Sequence, residues 1–107
     1  MTINSPLPPF AGKTVEVNYN GLAALNDYDE DGLHMTYTIT AGDVAGAAGK
    51  VEYEWQEVAN DIFLISWQEA DGATVVHVDD FGARTSRSFY TTPNLDLYRL
   101  QGTLSSV

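Results

Sequence analysis

Apolar and polar residues alternate along most of this chain. The alternation is cleanest in Val51-Glu52-Tyr53-Glu54-Trp55-Gln56, where Val51, Tyr53 and Trp55 share one face and Glu52, Glu54 and Gln56 the other. Period-two patterning in segments rich in aromatic and β-branched residues marks half-buried strands. The pattern predicts eight of them, over residues 13–19, 22–28, 33–41, 49–57, 61–68, 73–79, 84–91 and 97–104. Turn signals separate them: Asn20-Gly21, Asp31-Gly32, Ala59-Asn60-Asp61, Asp71-Gly72, Phe81-Gly82 and Pro93-Asn94. No segment longer than a turn or two has helical spacing, and residues 43–49, small and flexible, read as a loop or one helical turn. Residues 1–11, with three prolines among the first ten, read as an irregular lead-in. Eight strands joined in sequence order predict an all-β, antiparallel up-and-down barrel, wide enough for one small ligand. The 107 residues form one domain on this reading, without internal repeats.

The strand faces name the interior. Met35, Tyr37 and Ile39 alternate with His34, Thr36, Thr38 and Thr40, so the first set points inward. In the fifth strand Phe63, Ile65, Trp67 and Glu69 share a face, while the opposite face turns polar at Ser66 and Gln68. The Trp67 face is the interior one, which brings a carboxylate, Glu69, to the rim or the inside. The next turn decides His77. A two-residue Asp71-Gly72 turn pairs Glu69 with Thr74 and leaves His77 in solvent. A three-residue loop over 70–72, with Gly72 in the left-handed region, pairs Trp67 with Val75 and Ile65 with His77, which then points inward. The residues alone leave both registers open.

Charge and composition narrow the chemistry. Fifteen acids against five basic residues give a net charge of −10, which repels nucleic acid and anionic membranes. No run approaches the roughly 18 apolar residues of a membrane span, and the first ten residues lack the basic and apolar regions of an export signal, so a cytoplasmic location is expected. There is no cysteine, and His34 and His77 are the two histidines, so neither thiolate nor multi-histidine metal sites are expected, and no cofactor is predicted. Asp27, Asp29, Asp31 and Gly32 match the opening of a calcium loop, but its twelfth position is Thr38, which cannot clamp a cation with two oxygens. The helix such a loop requires is also replaced by a strand pattern, so Asp31-Gly32 is expected to be a hairpin turn.

The stretches "YTITAGDVAGAAG", "IFLISWQEADGATVVHVDDF" and "GTLSSV" resemble the MoaF-like group of small calycin-type barrels over about residues 12–107. Residues 15–80 more remotely resemble phenolic acid decarboxylases, lipocalin-like barrels that remove CO2 from hydroxycinnamic acids. The first resemblance implies a calycin or lipocalin-like fold and no particular reaction. The second implies that Glu69, one residue beyond Ser66-Trp67-Gln68, stands where the catalytic glutamate does. It also implies that Tyr19 matches one substrate-orienting tyrosine. The other tyrosine falls on Val17 and the essential arginine on Ala47, so the group that manages substrate charge is missing. The same alignment turns Trp67, Ala73, Val75 and His77 inward and favours the three-residue loop.

Candidate chemistry follows. Glu69 is the leading acid–base residue, because desolvation in a barrel raises a carboxyl toward neutral pH; its bland alternative is an exposed hairpin carboxylate. His77 and Tyr19 are its candidate partners. Tyr37, Ile39, Tyr53, Trp55, Trp67 and Val75 are the candidate ligand-binding residues, although aromatic side chains also fill small barrels as core. An inward Arg87 could hold a ligand carboxylate, but an outward one is favoured, and the Asp79-Asp80 pair is expected to send one side chain inward, in a rim role. The first functional reading is a barrel that binds a small hydrophobic or aromatic metabolite. The alternative is an enzyme on the same barrel, a cofactor-independent lyase, isomerase or cyclase using Glu69 with tyrosine or histidine. A third is a barrel filled by its own side chains. Expected partners are a small molecule, with no nucleic acid and no membrane, and a homodimer is left open.

Overall fold

The computed structural model describes residues 7–107. Eight strands form, each where the alternation places one: β1 (Thr14–Tyr19), β2 (Leu22–Tyr28), β3 (His34–Ala41), β4 (Ala48–Ala59), β5 (Ile62–Gln68), β6 (Thr74–Asp80), β7 (Thr85–Thr91) and β8 (Leu97–Ser106). Each pairs antiparallel with the next, and β8 returns to β1, so the sheet closes into an eight-stranded up-and-down barrel. The fold is all-β, with no helix among the described residues, and therefore none long and apolar enough to cross a membrane. β4 and β8 run two residues further at their C-terminal ends than the alternation suggests, because backbone pairing continues after the side-chain pattern stops.

The turns form as their residues require. Tyr19 pairs with Leu22 across Asn20-Gly21, with Gly21 at φ 87°. Ala59 pairs with Ile62 across Asn60-Asp61, and Asp61 takes φ 61°, a conformation Asp tolerates better than most residues. The β2–β3 connection is longer than a two-residue hairpin. Asp29 donates its N–H to the His34 carbonyl, and Asp31 Oδ1 accepts from Leu33 N at 2.7 Å and His34 N at 3.0 Å. The Asp31 side chain thus supplies acceptors that the loop backbone lacks.

Inward residues make one continuous core. Val15, Val17, Tyr28, Met35, Tyr53, Phe63, Ile65, Trp67, Val75 and Leu104 are among its buried members, with Tyr37, Ile39 and Trp55 partly buried against it. The lead-in takes part as well. Phe10 is 2 % exposed and enters one end of the barrel, its ring 4.6 Å from Tyr28, 5.4 Å from Phe63 and stacked on Phe81 at 5.7 Å. That end is closed by the chain itself.

Candidate functional site

The β5–β6 hairpin builds the opposite end. Trp67 pairs with Val75 and Ile65 with His77, and Glu69 N–H bonds the Ala73 carbonyl at 2.8 Å. Residues 70–72 form the loop, with Gly72 at φ 98°. This is the three-residue register, and it turns Trp67, Ala73, Val75 and His77 inward. Asp71 Oδ1 accepts the Ala73 N–H at 2.9 Å and stiffens the loop.

A cavity of about 370 Å³ opens at this end. Its apolar wall includes Val17, Leu22, Ala24, Ile39, Val75 and Leu100, its aromatic wall Tyr19, Tyr37, Trp67 and Tyr90, and its polar groups include Asn26, Glu69, Asp71, His77 and Ser88. Seven of the nine residues singled out from the sequence therefore meet here: Tyr19, Tyr37, Ile39, Trp67, Glu69, Val75 and His77. Tyr53 and Trp55 do not. Tyr53 packs edge-on against Tyr28 at 5.2 Å, and Trp55 lies 6.3 Å from Phe10 and 6.0 Å from Phe63, in the closed half.

Glu69 stands half-buried at the mouth and accepts a long hydrogen bond, 3.4 Å, from Trp67 Nε1. Burial raises its carboxyl above the usual value, the Trp67 bond opposes this, and Asp71 adds to it. Burial, and then the negative fields of Glu69 and Asp71, also raise the Tyr37 and Tyr90 hydroxyls. The Tyr37 ring lies across Gly49 on β4, its registered partner; a Cβ there would come within 2.7 Å of the Tyr37 hydroxyl. The absent side chain is what seats this ring.

Beneath the cavity, four strands contribute one polar row. Asp79 of β6 pairs with Ser86 of β7, Ser86 with Gly102 of β8, and Gly102 with Tyr19 of β1. Ser86 Oγ donates to Asp79 Oδ1 at 2.5 Å and lies 2.7 Å from the Tyr19 hydroxyl. Gly102 lies between Tyr19 and Ser86 in register, and a Cβ there would strike the Asn18 backbone of β1, so the glycine is what lets β8 and β1 approach this closely. Burial raises the Tyr19 hydroxyl well above the usual phenol value; the Ser86 bond counters part of this, and Asp79 reinforces it. His77, 4 % exposed, stands between the Trp67 ring at 5.0 Å and the Tyr19 ring at 6.2 Å, with Nδ1 3.5 Å from Asp79 Oδ2. At that separation no ordinary hydrogen bond forms, and both atoms are without one.

Of the Asp79-Asp80 pair, Asp79 is the inward member, as expected, but it lies deeper than the rim, 1 % exposed in the interior. Arg87 points outward, as its alternation with buried Ser86 and Ser88 requires. The sequence reading missed Asn26, Ser86, Ser88 and Tyr90. Parity along β2 and β7 could have found them, but Asn26, Ser86 and Ser88 are small and polar and carry no hydrophobic signal. Asp29, Asp31 and His34 bring ligand atoms within 4.8 Å of one another on the surface. They are engaged there: Asp31 Oδ2 with His34 Nδ1 at 2.6 Å, and Asp29 with Lys50 at 3.2 Å. Where a calcium loop needs its second helix, the chain has β3.

The family model described as MoaF-like matches residues 11–105. Among solved structures, the chain is similar to a protein from Burkholderia vietnamiensis described as "a putative beta-lactamase", with 63 % identity and a TM-score of 0.95 over 96 % of this chain and 100 % of that one. A comparison with curated proteins gave no match.

Proposed function

The chain belongs to the MoaF-like family, and from that premise we propose that it binds a small, largely apolar or aromatic molecule in the open end of its barrel. The observation that carries this reading is the cavity of about 370 Å³, within the general range of small-molecule sites, with apolar walls and a few convergent polar groups. Native mass spectrometry of freshly purified protein should reveal a co-purifying small molecule. N-phenyl-1-naphthylamine should fluoresce on binding and quench tryptophan emission. The two tryptophans separate the ends: Trp67→Phe should abolish the quenching and Trp55→Phe should not, since only Trp67 lines the cavity. Absence of both a co-purifying molecule and probe binding would overturn the reading.

A second reading, an acid–base enzyme of the lyase, isomerase or cyclase type, is favoured by Glu69. A desolvated carboxyl beside Tyr37 and above His77 and Tyr19 has the residue types for proton transfer to and from a bound substrate. Glu69→Gln should then lower turnover of an identified substrate by about 10²-fold or more while binding persists. The description of the Burkholderia protein makes β-lactams a substrate class to assay with a chromogenic cephalosporin. This chain has no Ser-x-x-Lys motif and only two histidines, so ring opening here would need a different catalytic group. Wild-type turnover in Glu69→Gln would leave the enzyme reading without its main support.

A further inference from the structure

We propose that the occupant of the cavity is an organic cation, an apolar or aromatic body bearing an ammonium group held at the mouth by Glu69 and Asp71 among the rings of Tyr37, Trp67 and Tyr90. The inference rests on the reading that the cavity binds a small molecule, and it adds the ligand's charge.

Two carboxylates line the cavity, and no lysine or arginine does. Neither Glu69 nor Asp71 forms an ion pair among the described residues. Asp71 commits one oxygen to its own loop, and Glu69 receives only the long Trp67 bond, so both retain acceptor capacity toward the opening. Glu69 is half-buried, and a carboxylate partly withdrawn from water without a cation is unfavourable, a cost that a cationic ligand removes. Exposed Asp71 adds its charge from the rim. The rings act in the same direction. Aromatic faces carry negative potential and attract an ammonium within about 6 Å, more strongly when it is desolvated.

The floor is His77, almost wholly buried, whose Nδ1 faces Asp79 Oδ2 at 3.5 Å and so leaves the mouth, not the floor, as the place for a charged group. A bare metal ion fits poorly, since hard cations ask for six or more oxygens and this wall is mainly carbon. An anion would enter past two uncompensated carboxylates. Among charged ligands, this leaves a cation with an apolar body.

Three probes sharing one ring system separate the possibilities by calorimetry at pH 7: 1-naphthylmethylamine, which is a cation, 1-naphthalenemethanol, which is neutral, and 1-naphthoate, which is an anion. The cation should bind at least tenfold more tightly than the alcohol, and the naphthoate most weakly. Glu69→Gln should reduce the preference for the cation over the alcohol to about twofold. Asp71→Asn, which keeps the oxygen that accepts the Ala73 N–H, should reduce the preference less. Glu54→Gln changes net charge equally on the outer face of β4 and should leave the preference intact; thermal unfolding checks that each variant is folded. Equal affinity for cation and alcohol, or an unchanged preference in Glu69→Gln, overturns the inference alone. Failure of all three probes overturns the binding reading and the inference with it.

Discussion

The two ends of this barrel are made of the same kinds of residue and have opposite outcomes. At one end Tyr28, Tyr53, Trp55, Phe63 and Phe81 surround Phe10, whose ring lies 4.6–6.3 Å from each of theirs. At the other, Tyr37, Trp67 and Tyr90 surround about 370 Å³ of space. Aromatic content does not distinguish core from pocket. What distinguishes them is whether another part of the chain supplies the last ring. The lead-in supplies Phe10 to the first end. Loop 42–47 and the Gly72 hairpin border the second, and none of their side chains fills it.

Removing the plug should therefore have the largest effect. Phe10→Ala deletes a ring packed against five others and should cost about 3–5 kcal/mol, measured by urea unfolding. If the variant still folds, a second probe-binding site should appear beside Trp55. A loss under about 1 kcal/mol would mean that the two ends differ less than their packing indicates.

The boundary between the ends is next. A Cβ on Gly102 would lie 2.0 Å from the Asn18 carbonyl oxygen, so β8 would have to move away from β1. Gly102→Ala should cost about 1–3 kcal/mol, as overpacking does, and should break the Tyr19–Ser86 hydrogen bond. Urea unfolding gives the cost, and the tyrosine ultraviolet titration gives the second effect, as a Tyr19 hydroxyl that ionises differently from wild type.

The open end should tolerate change. Glu69→Gln removes no packing and should alter stability by about 1 kcal/mol or less at pH 7. The sign of its pH dependence follows from linkage. The folded state raises the Glu69 carboxyl above its usual 4.5, so it holds the proton longer than the unfolded chain does. Glu69 therefore lowers stability as pH rises from about that value through the raised one, and the loss is constant above it. Thermal melts of Glu69→Gln against wild type should coincide below the window and diverge in favour of the variant across it. Divergence in the opposite direction would show that the Trp67 bond outweighs desolvation.

The smallest effect belongs to the surface. Hydrogen bonds from His34 and from the Leu33 N–H lower the Asp31 carboxyl from 3.8 to about 2. The stabilisation is present above 3.8 and is lost as pH falls toward 2, with little weight because the group is exposed. Asp31→Asn should soften only this part of the acid unfolding curve and leave probe binding unchanged.

Much of the fold was legible because alternation is a local property that survives without its partners. Val51, Tyr53 and Trp55 declare one face within a single strand, and the order of eight such strands permits the barrel. The glycines at 21 and 72 mark their turns through a backbone conformation that other residues resist. Trp67 and Glu69 were reachable from the β5 pattern, and His77 once the hairpin register was chosen, although the residues themselves left that choice even.

The tertiary structure decided the rest, because each remaining feature depends on residues far apart in the chain. Tyr53 and Trp55 look like pocket aromatics in their strand, and Phe10, arriving from the proline-rich lead-in, makes them core. Asp79 looks like a rim acid, and Ser86 and the imidazole of His77 give it an interior setting. Gly49 and Gly102 look like weak points in strands, yet one seats the Tyr37 ring and the other lets β8 approach the β1 backbone. A strand's sequence records which face is apolar. Whether that face meets a ring, a polar row or open space is set by barrel closure, which brings β1 beside β8 and registers residues more than eighty positions apart.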